Sequence, residues 1–101
     1  AQLKVVEQAG FPVVDWLEAA NYSVPPAEKR TYFLNQLRNL RPGVTEIVIH
    51  CASPGDSLIP PPDAAARYAD TMTFSSEETR EELTNQRVEV LDWQTLRTRR
   101  R

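Results

Sequence analysis

The run at residues 45–50, TEIVIH, constrains this chain more than any other stretch. Ile47, Val48 and Ile49 are β-branched and favour a pleated, extended backbone. Three consecutive aliphatics do not alternate with polar residues, which suits a strand covered on both faces. Strands of that kind belong to parallel sheets, whose members are joined by helical crossovers.

The rest of the chain supplies the crossovers. Residues 2–9 place Leu3, Val6 and Ala9 at helical spacing, and Gly10 is a natural stop. Residues 11–15 (FPVVD) form a short apolar run and predict a first strand. Pro25 and Pro26 open a helix that runs to about Leu40, with Phe33, Leu37 and Leu40 on one face and Leu34 beside them. Pro42 and Gly43 end it, and TEIVIH follows. Residues 51–63 form a long loop with four prolines, and the alanine-rich 64–69 a short helix. Ser75 and Glu78 have the spacing of a capping box for a helix reaching Asn85. Residues 87–92 (RVEVLD) predict a third strand and 93–100 a terminal helix. Helices alternating with strands predict an α/β fold of parallel βαβ units in a single domain spanning residues 1–101. Three strands cannot close a barrel. They form one sector of a barrel, or an open sheet whose bare edge predicts self-association.

Charge excludes some partners. Arg97, Arg99, Arg100 and Arg101 hold four of the 12 basic residues, and the other eight stand among all 14 acids. An acidic body lacks the basic face that nucleic acid requires. The arginine tail reads as a solvated helix end, where cations are favoured. No apolar run approaches the roughly 18 residues needed to cross a bilayer, so no membrane partner is expected. Residues 1–10 carry Lys4 and Glu7 among their apolar residues and do not read as a signal peptide. Cys51 is the single cysteine, so no internal disulfide and no cysteine-based zinc cluster can form, and a cytoplasmic, reducing setting is expected.

Parallel sheets bind ligands beyond the carboxyl ends of their strands. The three predicted strands end in Asp15, His50 and Asp92, and a long loop leaves directly after His50. His50 is the only histidine. It reads as a general acid or base, as a metal ligand, or as a tether that hydrogen-bonds the loop. A catalytic metal site takes about three protein ligands, so one histidine does not make one. Asp15 and Asp92 read as helix caps or as site carboxylates, with capping favoured for both and more strongly for Asp92. Trp16, beside Asp15, reads as core packing or as a ring facing carbohydrate. Arg67 and Asp70, three apart, read as a surface ion pair. Cys51 reads as a small buried residue. No G-x-S-x-G elbow, phosphate loop or dinucleotide fingerprint is present.

The stretch Leu40-Arg41-Pro42-Gly43-Val44-Thr45-Glu46-Ile47-Val48-Ile49-His50 resembles the late segment of the YdjC-like carbohydrate deacetylases. Four features agree in order: the Phe11-Pro12-Val13-Val14-Asp15 run, Arg67-x-x-Asp70 after the loop, the helix from Ser76 to Leu83, and the closing strand and Trp93 between Val88 and Leu96. The family often has His-Pro where this chain has His50-Cys51. The resemblance implies that this chain is the C-terminal sector of a distorted (β/α) barrel. It further implies hydrolysis of acetamido sugars with a divalent metal held by the N-terminal portion of a parent protein, and none in this chain alone. His50 then corresponds to a late active-site histidine that protonates the leaving amine; Asp15 and Trp16, read from their place in the chain, are candidate substrate contacts. The implied partners are the missing N-terminal part, or another copy, and a carbohydrate substrate. A non-catalytic α/β module for binding or assembly is the alternative reading.

Overall fold

The computed structural model describes residues 2–10, 12–55 and 58–99. Its elements are α1 (Gln2–Gln8), β1 (Trp16–Glu18), a 3-10 turn (Pro26–Glu28), α2 (Lys29–Arg38), β2 (Thr45–Ile47), α3 (Pro61–Phe74), α4 (Glu77–Asn85) and α5 (Trp93–Arg99).

The core is built on α2. Phe33 is fully buried, and Leu34 and Leu37 nearly so, which is the stripe expected from their helical spacing. α2 packs against both α3 and α4. The Phe33 and Phe74 rings meet edge to face at 4.8 Å, a favoured aromatic geometry. Leu96 of α5 and Ala66 of α3 complete the buried apolar set. The exposed pair Arg30–Glu78 at 3.5 Å and the half-exposed pair Arg38–Glu82 at 2.8 Å cross from α2 to α4. They add little to stability, because water screens them. α1 carries no such packing: residues 4–9 are exposed, with Val5 65% and Val6 42% accessible.

β1 and β2 form a two-stranded parallel sheet with Trp16 opposite Thr45 and Glu18 opposite Ile47. The 3-10 turn and α2 connect them. The first strand therefore starts later than residues 11–15 predict. Phe11 lies outside the described residues, Pro12 has no N–H to give a ladder, and the Asp15 carboxylate closes the turn before β2 instead. Asp15 Oδ2 accepts from the Val44 N–H at 2.7 Å. Gly43 makes that turn possible. Its φ of +115° disfavours a side chain, and a Cβ there would stand 2.5 Å from Asp15 Oδ2.

Residues 88–92 run as chain without ladder hydrogen bonds, so the predicted third strand does not form among the described residues. A strand needs a partner edge, and here the segment turns away from α4. Arg87 adopts φ +56°, the Val88 N–H bonds back to the Leu83 carbonyl at 2.9 Å and the Arg87 N–H to Thr84 at 3.1 Å. That is a left-handed helix stop. Between this segment, β2 and α2 lies an open cleft of about 780 Å³ lined by Leu37, Val44, Ile47, Val88, Leu91 and Leu96, among others.

Other boundaries shift in ways local chemistry explains. α3 extends well beyond residues 64–69, because Pro61 seeds its first turn. α4 is capped by Ser76 rather than Ser75: Ser76 Oγ accepts from the Thr79 N–H at 3.2 Å. Asp92 caps α5 as expected, with Oδ1 accepting from the Thr95 N–H at 2.7 Å, and this bond holds its carboxyl below the usual aspartate range. Arg100 and Arg101 lie outside the described residues.

Candidate functional site

The carboxyl ends of the two strands gather an unusual number of polar side chains. β2 ends at Ile47; the chain runs on to Val48, whose N–H bonds the Glu18 carbonyl at 2.9 Å, and then to His50. From the end of β1 the chain reaches Asn21 and Tyr22. Asn21 is fully buried and its Nδ2 donates to the Val48 carbonyl at 2.7 Å, locking the two strand exits together.

His50 sits beyond the strand end, partly buried. Its ring meets the Tyr22 ring edge to face, with centroids 5.4 Å apart. Its Nδ1 is buried without a hydrogen-bond partner among the described residues. The Tyr22 hydroxyl donates to Asp63 Oδ1 in the first turn of α3. That bond, with burial and the Asp63 charge, raises the phenol above its ordinary range, while the nearby Arg67 opposes the shift. His50, Tyr22, Asp63 and Arg67 thus form one cluster at the mouth of the Pro-rich loop.

Behind it stands a buried charge pair. Lys29 Nζ lies 2.9 Å from Asp70 Oδ1, with the two side chains 1% and 0% exposed. The contact is a charge pair without hydrogen-bond alignment. The ammonium also lies 6.0 Å from the Tyr22 ring centroid and 5.8 Å from that of Phe33, within reach of their π faces. Asp70 Oδ2 accepts the main-chain N–H of His50 at 2.9 Å. The next residue, Thr71, accepts from the Ala52 N–H and lies equally close to the Ala52 carbonyl, both at 2.8 Å. Asp70 is therefore not half of a surface pair with Arg67, as spacing predicts. It points inward on the Ala66–Asp70–Thr73 stripe, all three buried.

Asp15 and Trp16 lie elsewhere. Asp15 touches Val44, at the amino end of β2, roughly 20 Å along the strand direction from His50 by the usual rise per residue. Trp16 Nε1 donates to the Pro42 carbonyl at 3.2 Å, and the Arg41 guanidinium stacks 4.2 Å from its ring centroid. One face of the indole is thus covered by a cation. The structure does not bring these two residues to His50, so the expected convergence of Asp15, His50 and Asp92 reduces to His50 alone. Cys51, expected to be buried, is exposed.

Sequence reasoning missed Asn21, Tyr22, Lys29 and Asp63. Lys29 alone carried a signal: it precedes Phe33 and Leu37 at steps of four on the buried stripe of α2, a position where an unpaired cation is costly.

Among the described residues no group of three or more His, Cys, Asp or Glu side chains is placed to hold a metal. The two acids near His50 are engaged, Asp70 by Lys29 and the His50 N–H, and Asp63 by Tyr22. The described residues do not by themselves assemble a divalent-metal centre. No helix among the described residues is long and apolar enough to cross a membrane. Comparison with protein-family models, with curated proteins and with solved structures finds no match.

Proposed function

We propose that this chain is the C-terminal sector of a metal-dependent, carbohydrate deacetylase-like hydrolase with a distorted (β/α) barrel, and that His50 is its acid. The observation that carries the reading is the place of His50: past the carboxyl end of a parallel strand, against the Tyr22 ring, at the start of a long loop. The motif leading into it supports the same assignment. In N-deacetylation of an acetamido sugar, water adds to the amide carbonyl and the C–N bond breaks. Acetate leaves, and the departing nitrogen takes a proton. A protonated imidazole at His50 supplies that proton. Tyr22, held by Asp63, fixes the plane against which the ring rests. The metal ligands come from outside this chain, so this chain alone is inactive, and no step here runs through a metal. The exposed, unpaired Cys51 supports a reducing, cytoplasmic setting.

The test is acetate release from chitobiose by the longer polypeptide that this reading requires. His50→Ala should abolish turnover and leave the melting temperature nearly unchanged. Retained turnover in that variant overturns the role of His50.

A second reading, assembly without catalysis, is favoured by one observation. The apolar cleft beside residues 88–92 stands open, with Val90 75% and Trp93 53% exposed nearby. Copies of the chain, or the missing sector, would cover it. Light scattering that shows a monomer at high concentration counts against self-association.

A further inference from the structure

We propose that Lys29 and Asp70 are positioning residues, a buried charge pair whose task is to fix the main chain at His50. The inference rests on the reading of His50 as the functional group, but its geometry stands apart from any activity.

Two charges at 1% and 0% exposure are an unusual way to hold a small core together. A matched apolar pair would fill the same space without desolvating either ion. What an apolar pair cannot do is accept a hydrogen bond. Asp70 Oδ2 takes the His50 N–H at 2.9 Å, and no other described side chain accepts it. The neighbouring Thr71 grips Ala52 at 2.8 Å. Adjacent residues on one rigid helix thus hold the chain on both sides of Cys51, and α3 sets the distance between His50 and the Tyr22–Asp63 contact on its own first turn. Lys29 does not reach His50. It holds the carboxylate in place, from a helix that Pro26 and the buried Phe33 anchor. The pair is absent from the proton transfer itself, so its effect on chemistry is transmitted through the position of the imidazole.

The decisive comparison is between two double variants, K29M/D70L and K29M/D70N. Both remove both charges and keep the volume. Only the asparagine of K29M/D70N retains a side-chain oxygen that accepts the His50 N–H. Amide hydrogen exchange followed by NMR should show His50 and Ala52 protected in wild type and in K29M/D70N. Exchange of the His50 amide should be at least about tenfold faster in K29M/D70L, at matched global stability, because the opening is local, while Ala52, held by Thr71 in every variant, should change less. Carbethoxylation of the imidazole, the only one in the chain, should accelerate in the same variant. Equal exchange in the two doubles overturns the proposal. Should K29M/D70L fail to fold, wild type decides. Protection of His50 N–H well above that of the exposed Cys51 supports the clamp, and exchange at the unprotected rate overturns it. These readouts use no substrate, so they fail or succeed independently of whether His50 is an acid.

Discussion

Lys29→Met isolates one partner of the buried pair and should be among the most damaging single changes in the chain. In the wild type, the carboxylate of Asp70, fully buried, has the ammonium at 2.9 Å and one main-chain N–H. Methionine fills the space of the lysine stem but leaves an uncompensated buried charge. Breaking such a pair on one side costs about 3–5 kcal/mol. A domain of this length has a total stability of roughly 5–15 kcal/mol, so about a fifth or more is lost. At about 4–8 °C per kcal/mol, the melting temperature should fall by at least about 12 °C. Thermal unfolding followed by far-ultraviolet circular dichroism measures this directly, and urea titration gives the free energy. K29M/D70L removes the stranded charge and should recover much of the loss, short of wild type by the roughly 1–3 kcal/mol of a His50 N–H left without an acceptor. A loss below about 1 kcal/mol in K29M would refute the reasoning, because it would mean the pair is hydrated and weakly coupled.

Three further outcomes follow from local geometry. Gly43→Ala should destabilise by about 2 kcal/mol or more in urea titration, combining a left-handed backbone with a clash on Asp15. Ser76→Ala should lose about 1 kcal/mol by removing the α4 cap, with Ser75→Ala near neutral in the same assay. Tyr22 should ionise later than a free phenol in an ultraviolet pH titration, since its neutral form donates to Asp63. Its folded pKa is raised, so this contact stabilises at pH below the ordinary tyrosine value and is lost as pH climbs through the raised one. Tyr22→Phe should remove the late step. A late step that survives in that variant belongs to Tyr32 or Tyr68.

The sequence made the local elements legible and left the distant pairings hidden. The α2 stripe of Phe33, Leu34 and Leu37 follows from helical spacing alone, and Asp92 caps α5 because its partner is three residues away. A strand expected over residues 45–50 pairs in parallel with β1 only at Thr45–Ile47, so Val48 and Ile49 of the aliphatic run lie past its end. Residues 87–92 have the same strand composition, yet a ladder depends on an available edge, which composition does not encode. Asp15 misled because a carboxylate after an apolar run reads the same whether the strand ends there or starts there. Its partner Val44 lies across the turn at Gly43. Asp70 reads as half of a surface pair with Arg67 and Lys29 is not singled out, since a surface pair and a buried one are written with the same letters. Only the tertiary approach of α2 to α3 separates them. His50 was found by position, while Tyr22 and Asp63, which define its surroundings, carried no motif.

The assignment of His50 as a leaving-group acid is tested most directly by varying the leaving group. The longer polypeptide and its His50→Ala variant should be compared on an acetamido sugar and on an activated aryl acetate, whose leaving group needs no proton. The account predicts a loss of about 10²–10⁴ in kcat on the amide and a much smaller loss on the ester. Equal losses on both substrates, or none on the amide, would contradict it.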